Sequence, residues 1–219
     1  MKNVIIIGSG AVAAELTSYI EHNNKHVDMC DKFNLLGYID FDENRFKYWA
    51  KYNLKKPVIS DIYSYEIKEG DHFIIGVSNV QFRQNMMDIL NSKGANIIGF
   101  VHHSVIISET AIIGSGNIIY PFCIIGPNAI IADNNLITSY SVISHDCVVG
   151  SNNFFSTTAI SGHVNIGNNN FFGIRSAVIP NVLIGNDNTI QAGLTVDKNV
   201  TNDTIVFHRF KEKVFTITQ

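Results

Sequence analysis

The sequence predicts two joined architectures: a small α/β domain over residues 1–100 and a β-solenoid over residues 101–200, followed by a tail at 201–219. Three observations predict it. An apolar beat recurs every six residues from Val101 through Ile107, Ile113 and onward to Phe155, then slips by one and resumes from Ile160 to Val196. No beat position is polar, although only 46% of the chain is apolar. Before the beat begins, a strand, Gly-rich turn and helix pattern takes its place.

A period of six fits neither an α-helix nor a simple hairpin. It fits a solenoid in which each hexad makes one short strand and one corner, with one side chain per hexad entering a shared core. The residue after the beat is often Gly (Gly114, Gly126, Gly150, Gly167, Gly173, Gly185), which suits a corner because Gly tolerates positive φ. The residue two before the beat is small or Asn (Ala111, Asn117, Cys123, Asn135, Ser141, Cys147), which suits a tight inner position. In the first register the residue before each beat is also apolar, including Ile106, Ile112, Ile118, Ile124, Ile130, Leu136, Val142, Val148 and Phe154. These alternate outward from the core, and a row of exposed apolar groups predicts a buried interface between copies of the chain.

At the N-terminus, Asn3-Val4-Ile5-Ile6-Ile7 reads as a buried strand, Gly8-Ser9-Gly10-Ala11-Val12-Ala13 as the turn, and Ala14 to His22 as an amphipathic helix. This is the start of a Rossmann-like nucleotide-binding unit, in which glycines let a phosphate approach the helix N-terminus. Further strands are expected at Leu35 to Asp40, His72 to Val77 and Asn96 to Phe100, with a helix at Gln81 to Lys93. Asp40 ends its strand where it can accept hydrogen bonds from a ribose or base. About ninety residues hold half of a dinucleotide fold, so a mononucleotide or nucleotide-sugar is the expected ligand.

Composition narrows the classes. A net charge of −3 argues against nucleic acid as the main partner. Three cysteines (Cys30, Cys123, Cys147) read as small reduced core residues and suggest a cytoplasmic setting. Val4 to Ile7 is too short to span a membrane, and no signal peptide is recognisable. A metal-dependent solenoid would need histidines at one repeated corner position; His102, His103, His145 and His163 do not share one, so no metal is expected.

The combination of a Gly-rich α/β domain and hexads resembles the bacterial left-handed β-helix sugar acyltransferases, which include nucleotide-aminosugar N-acetyltransferases and sialic acid O-acetyltransferases. The most specific match is Ser141-Val142-Ile143-Ser144-His145-Asp146-Cys147-Val148-Val149-Gly150. Phe100-Val101-His102 and Ser161-Gly162-His163-Val164-Asn165-Ile166-Gly167 also match. The resemblance implies a homotrimer through the β-helix, with acetyl-CoA between neighbouring subunits and the nucleotide-sugar on the N-terminal domain. It implies that His145 is the general base, oriented by Asp146, and that the Gly162 N–H serves the oxyanion. It places acetyl-CoA against Gly162, Ile174, Ala192 and Gly193 and around Asn153-Phe154. It places the nucleotide-sugar against Gly8, Gly10, Ala11, Val12 and Asp40, and against Gly76, Ser78, Asn79 and Arg83. The remaining histidines, His102, His103 and His163, are expected at the ligand rim or in structural roles.

The chemistry is consistent with those roles. A sugar amine or hydroxyl must lose a proton as it attacks a thioester, and histidine suits that task at neutral pH. The sequence also departs from the family pattern. Val12 stands where a substrate-contacting histidine is frequent, and Asn153-Phe154 where a second histidine is common. Ser78 replaces a usual glycine, and Phe207-His208-Arg209-Phe210 replaces the Gly-x-Pro-Ala ending. Arg209, Lys211 and Lys213 suit either CoA phosphates or a solvated tail. Three readings stay open: N-acetyl transfer to a nucleotide-linked amino sugar, O-acetyl transfer to a sialic-acid-like sugar, and a non-catalytic nucleotide-sugar-binding scaffold.

Overall fold

The computed structural model of the chain describes residues 1–40 and 49–208. The N-terminal unit contains β1 (Lys2–Ile7), α1 (Ala11–Asn23), β2 (Phe33–Ile39), β3 (Val58–Ser60), β4 (His72–Ile75), α2 (Val80–Ser92) and β5 (Asn96–Ile97). All five strands are parallel, in the order β3-β2-β1-β4-β5. Val4 to Ile7 is buried on both faces, as a central parallel strand requires. The short edge strand β3 has only Val58 and Ile59 as apolar residues, too short a run to mark a strand, and it was not among the expected strands.

The hexads form three parallel sheets of two-residue strands. Sheet I has seven strands, from Phe100–Val101 to Ile205–Val206, and so extends past residue 200. Sheet II has six, from Ile106–Ile107 to Thr195–Val196, and sheet III has five, from Ile112–Ile113 to Leu183–Ile184. The chain visits them in the order I, II, III, so it winds a three-sided prism. Beat residues from all three sheets share one core, among them Ile125, Ile137, Ile143, Phe155, Ile160 and Phe172. Val101 and Ile107 are partly exposed because no coil lies beneath the first one.

The corners differ from expectation in one respect. The residue at positive φ is two places after the glycines that follow a beat, as at Asn128 (57°), Asn152 (57°), Asn169 (60°) and Asp187 (58°), and Asp146 (56°) and His163 (59°) hold the same place after Ser144 and Ser161. The glycines serve close stacking instead. A Cβ on Gly126 would lie 2.7 Å from the His145 nitrogen, and one on Gly150 2.6 Å from the Gly167 oxygen. Asn is at the inner position of each corner from sheet III to sheet I, and the five side chains make a buried ladder. The Asn135 N–H donates to Asn117 Oδ1 at 2.8 Å, Asn153 to Asn135 at 2.8 Å, and Asn170 to Asn153 at 2.8 Å. Each such bond contributes on the order of 1 kcal/mol, and leaving one partner unpaired costs more.

The outward apolar row is divided. Ile118, Leu136 and Phe154 on sheet I are covered by the chain's own N-terminal unit, in one cluster with Leu16, Ile20 and Ile74. Ile106 and Ile124 on sheet II and Ile112, Ile130 and Val148 on sheet III stay exposed. The row therefore accounts for an internal contact on one face and leaves two faces bare. Among the cysteines, Cys123 and Cys147 are buried as expected, whereas Cys30 is exposed, because it lies in the loop between α1 and β2. No helix among the described residues is long and apolar enough to cross a membrane.

Phe155 and Phe172 stack in the prism core with ring centroids 4.8 Å apart. Phe155→Ala is expected to lower unfolding free energy by about 3–5 kcal/mol, measured by urea denaturation. A loss below about 1 kcal/mol would mean that the core does not depend on this stack.

Candidate active site

His145 lies at a corner from sheet II to sheet III, two residues past the inward Ile143, with 55% of its side chain exposed. Its Nδ1 lies 2.7 Å from Asp146 Oδ2. The αL turn at Asp146 folds the carboxylate back alongside the neighbouring ring. Asn128, at the same corner one coil below, donates its Nδ2–H to Asp146 Oδ1 at 3.0 Å. These bonds, from Asn128 first and then His145, hold the Asp146 carboxyl below the ordinary aspartate range. An ionised carboxylate only accepts, so Nδ1 of His145 carries the hydrogen of this bond.

The next coil completes the corner. Ile143 pairs with Ile160, an offset of 17 residues, so Gly162 stacks over His145 and His163 over Asp146. A Cβ on Gly162 would fall 2.5 Å from His145 Cε1 and 2.6 Å from Nε2. The imidazole therefore lies on the face of a glycine that has no room for a side chain. His163 Nε2 is 3.9 Å from Asp146 Oδ2, and its ring meets that of His145 edge-on at 5.1 Å. The sequence reading placed His163 at the rim. The signal for its closer position was its place in the hexad: His163 is three residues after Ile160, as Asp146 is after Ile143, and those two beats pair.

The Gly-rich turn behaves as two kinds of glycine. Gly8 has φ of 98°, and a Cβ there would meet Val77 Cγ1 at 2.8 Å; a Cβ on Gly76 would meet Ile6 Cγ2 at 2.6 Å. Both are fixed by packing. Gly10 opens onto free space at the start of α1. Gly10, Ala11 and Val12 line a cleft of about 600 Å³ with Tyr52, Gly76, Val77, Ser78, Asn79 and Phe82. Asn79 caps α2 by accepting from the Phe82 N–H at 2.8 Å. Asp40 accepts from the Ser9 N–H at 2.9 Å and from the Ser9 hydroxyl, so it braces the turn from behind.

Three expected ligand contacts are corrected by burial. Arg83 is fully buried and does not line the cleft. Its Nη1 donates to Ile75 O at 2.7 Å and Val77 O at 3.1 Å, and its Nη2 to Asn134 O at 2.9 Å and Asn134 Oδ1 at 2.7 Å. Asn153 is a rung of the asparagine ladder, wholly enclosed. Phe154 is covered by the N-terminal unit and stacks on Phe171 at 5.1 Å. Ile174, Ala192 and Gly193 are exposed at the corner from sheet I to sheet II. That is a different prism edge from the one carrying His145 and Gly162. Arg209, Phe210, Lys211 and Lys213 lie outside the described residues.

No family model and no curated protein sequence matches the chain. Solved structures do. The architecture, a parallel α/β unit capping one face of a hexapeptide solenoid, is shared with bacterial sugar N-acetyltransferases. PerB from Caulobacter crescentus, solved in complex with CoA and GDP-perosamine, superposes with a TM-score of 0.79 at 23% identity over 94% of this chain and 93% of its own. WeeI from Acinetobacter baumannii gives 0.78 at 17% identity over 95% and 97%. The acetyltransferase domain of PglB from Neisseria gonorrhoeae gives 0.78 at 16% identity over 91% and 93%.

The Asn128 bond gives a test of the site's electrostatics. Asn128→Ala removes a donor that favours the charged carboxylate, so the Asp146 pKa should rise toward its ordinary value of 3.8. Carboxyl-carbon NMR titration of both proteins reads this directly; an unchanged or lower value in the variant contradicts the assignment.

Proposed function

We propose that the chain is an acetyl-CoA-dependent N-acetyltransferase acting on the amino group of a nucleotide-linked 4-amino-dideoxy sugar, in surface glycan synthesis. The observation that carries this reading is the His145–Asp146 pair lying on Gly162. In the proposed step the amine nitrogen attacks the thioester carbonyl and His145 Nε2 takes the amine proton. The C–S bond then breaks, and the CoA sulfur leaves as thiol with that proton. Asp146 holds the tautomer and stabilises the imidazolium. The Gly162 N–H makes no hydrogen bond among the described residues, which suits it to the oxyanion. The likeness to PerB, solved with CoA and GDP-perosamine, supports both ligands. The Gly10 to Phe82 cleft would take the nucleotide-sugar in a Rossmann-like domain over 1–100, followed by a left-handed helix over 101–200.

The reading also requires a neighbour. The cleft belongs to the unit seated on sheet I, whereas His145 is on the edge between sheets II and III, opposite that face. Ile174, Ala192 and Gly193 occupy yet another edge. A substrate held by one chain and a cofactor held by another converge only if the prisms associate. The exposed Ile112 and Ile130 on sheet III and Ile106 and Ile124 on sheet II flank the His145 edge and offer the surface for a homotrimer.

Thiol release from acetyl-CoA with UDP-, dTDP- and GDP-linked 4-amino sugars, with free sialic acid alongside, tests the assignment. Release with one amino sugar is expected. It should fall about 10²–10⁴-fold in His145→Ala, which removes the base. Gly162→Ala should lower turnover about 10²-fold by displacing the ring, with little change in KM for the nucleotide-sugar. Release with sialic acid alone would select O-acetyl transfer, and no release would favour the scaffold reading.

Sedimentation tests the assembly. Ile130→Asp should convert a trimer to monomer and abolish release at the same time. A fully active monomer would refute the shared site.

A further inference from the structure

A second histidine cluster lies at the junction of the two units, away from the His145 edge. His22 is on the last turn of α1, and His26 follows it by one helical turn's spacing. His102 and His103 begin the solenoid. Ring centroids are 4.7 Å apart for His22 and His26, 4.5 Å for His26 and His103, 4.4 Å for His102 and His103, and 5.3 Å for His22 and His102. One ring nitrogen from each of His22, His102 and His103 lies within 4.8 Å of the others. The sequence argument against a metal considered only repeated corners; this cluster draws His22 from the last turn of α1 and His26 from the turn that follows it.

We propose that His22, His102 and His103, with His26 beside them, form a binding site for a divalent transition-metal ion of the Zn²⁺, Ni²⁺ or Co²⁺ class. The donors are all imidazoles, the set that such ions select over Ca²⁺ or Mg²⁺. His22 Nδ1 and His102 Nε2 are 3.1 Å apart. Two nitrogens bound tetrahedrally at about 2.0–2.1 Å from zinc are separated by about 3.4 Å, so this pair needs only a small displacement. The cation would take the place of the single hydrogen between the two rings, and that hydrogen moves, by exchange with water, to the other nitrogen of its own ring, so neutral imidazoles bind with no net loss of a proton.

The surroundings support the cluster. His102 is 2% exposed, and its Nδ1 faces Ser104 Oγ at 2.8 Å and the Ser104 N–H at 3.2 Å. With a cation at Nε2, the ring hydrogen would sit on Nδ1 and donate to Ser104 Oγ in place of the bond that Nδ1 now accepts from the Ser104 N–H, a second-shell brace of the kind that orients metal-bound histidines. The His103 backbone N–H donates to Asn23 Oδ1 at 2.7 Å, which ties the histidine loop to the end of α1. Burial first, and then the neighbouring histidines, push His102 down to about 4, and His103 is lowered by the same causes. These two rings, His102 and His103, therefore favour the neutral form, the one that ligates. An ion here would cross-link α1 to the first coil.

Titration of the full chain with Co²⁺, read by its visible ligand-field bands, and with Zn²⁺ against a chromophoric chelator, tests the proposal. One ion per chain is expected, with a rise in Tm. The exposed residues are the ones to replace: His22→Ala and His103→Ala should each weaken binding about 100-fold or more, exceeding the 10–100-fold that outer-shell partners cost. His145→Ala should leave affinity unchanged, although His145, Asp146 and His163 also lie close together. Absence of binding, equal affinity in His22→Ala and His103→Ala, or loss in His145→Ala would each overturn the proposal.

Discussion

Coil-on-coil stacking is the constraint on which the rest of this structure depends. Every residue of the solenoid must fit the one lying over it a coil later, an offset of 18 residues in the lower coils and 17 across the slip. Small residues and glycines follow from that constraint, because a Cβ at Gly126 or Gly150 would enter the next coil's backbone. The asparagine ladder follows too, since a hydrogen-bonded column forms only when identical side chains recur in register. The slip at Ser156 to Thr158 shortens one corner by a residue and still leaves beat stacked on beat, Ile143 on Ile160. Gly162 therefore lies over His145 and His163 over Asp146, because the members of each pair hold the same place after their beat.

The N-terminal unit is held to the solenoid by a different kind of interaction. Arg83 is wholly buried, and its four described hydrogen bonds go to carbonyl oxygens of Ile75, Val77 and Asn134. Burial lowers its pKa to about 10, so it stays charged at neutral pH. A buried charge without a carboxylate is tolerable only where several dipoles converge on it. Here they come from β4, the loop after it and a solenoid corner, so the charge fixes the docking angle of the unit. Asn152 adds a bond to Val80 O at 3.0 Å on the same side. The apolar seat of Ile118, Leu136 and Phe154 supplies area, and Arg83 supplies direction.

These two constraints explain what was legible in the sequence. The hexad is a stacking rule, so it showed in the residues, and with it the core positions, the corners and the place of His145. The αL residues were misassigned to the glycines because both stand in corners, and only the next coil's backbone distinguishes crowding from φ. Arg83 was placed at the ligand because Gly76, Ser78, Asn79 and Arg83 together resemble a family stretch. What buries it is Asn134, 51 residues away, which no local pattern reveals. Asn153 and Phe154 were misjudged for the same reason: one is consumed by the ladder and the other by the N-terminal unit, both long-range. The histidine cluster was invisible because α1 and the first coil are 80 residues apart in sequence.

The bare faces of the prism connect the fold to the proposed chemistry. A solenoid built from a period of six has three equivalent faces, and below the slip the outward residue before each beat is apolar on all of them, whereas above it Asn165, Thr189 and Thr195 take that place. The chain covers sheet I with its own α/β unit and leaves sheets II and III exposed. The edge between those two sheets is the one that carries His145, Asp146 and Gly162. An edge flanked by uncovered isoleucines is where a second prism would lie most favourably, and a base placed there would be enclosed further when it does. Desolvation of that kind strengthens the His145–Asp146 pair and every donor aimed at a developing charge. Assembly and catalysis would then follow from one sequence feature, the apolar residue before the beat.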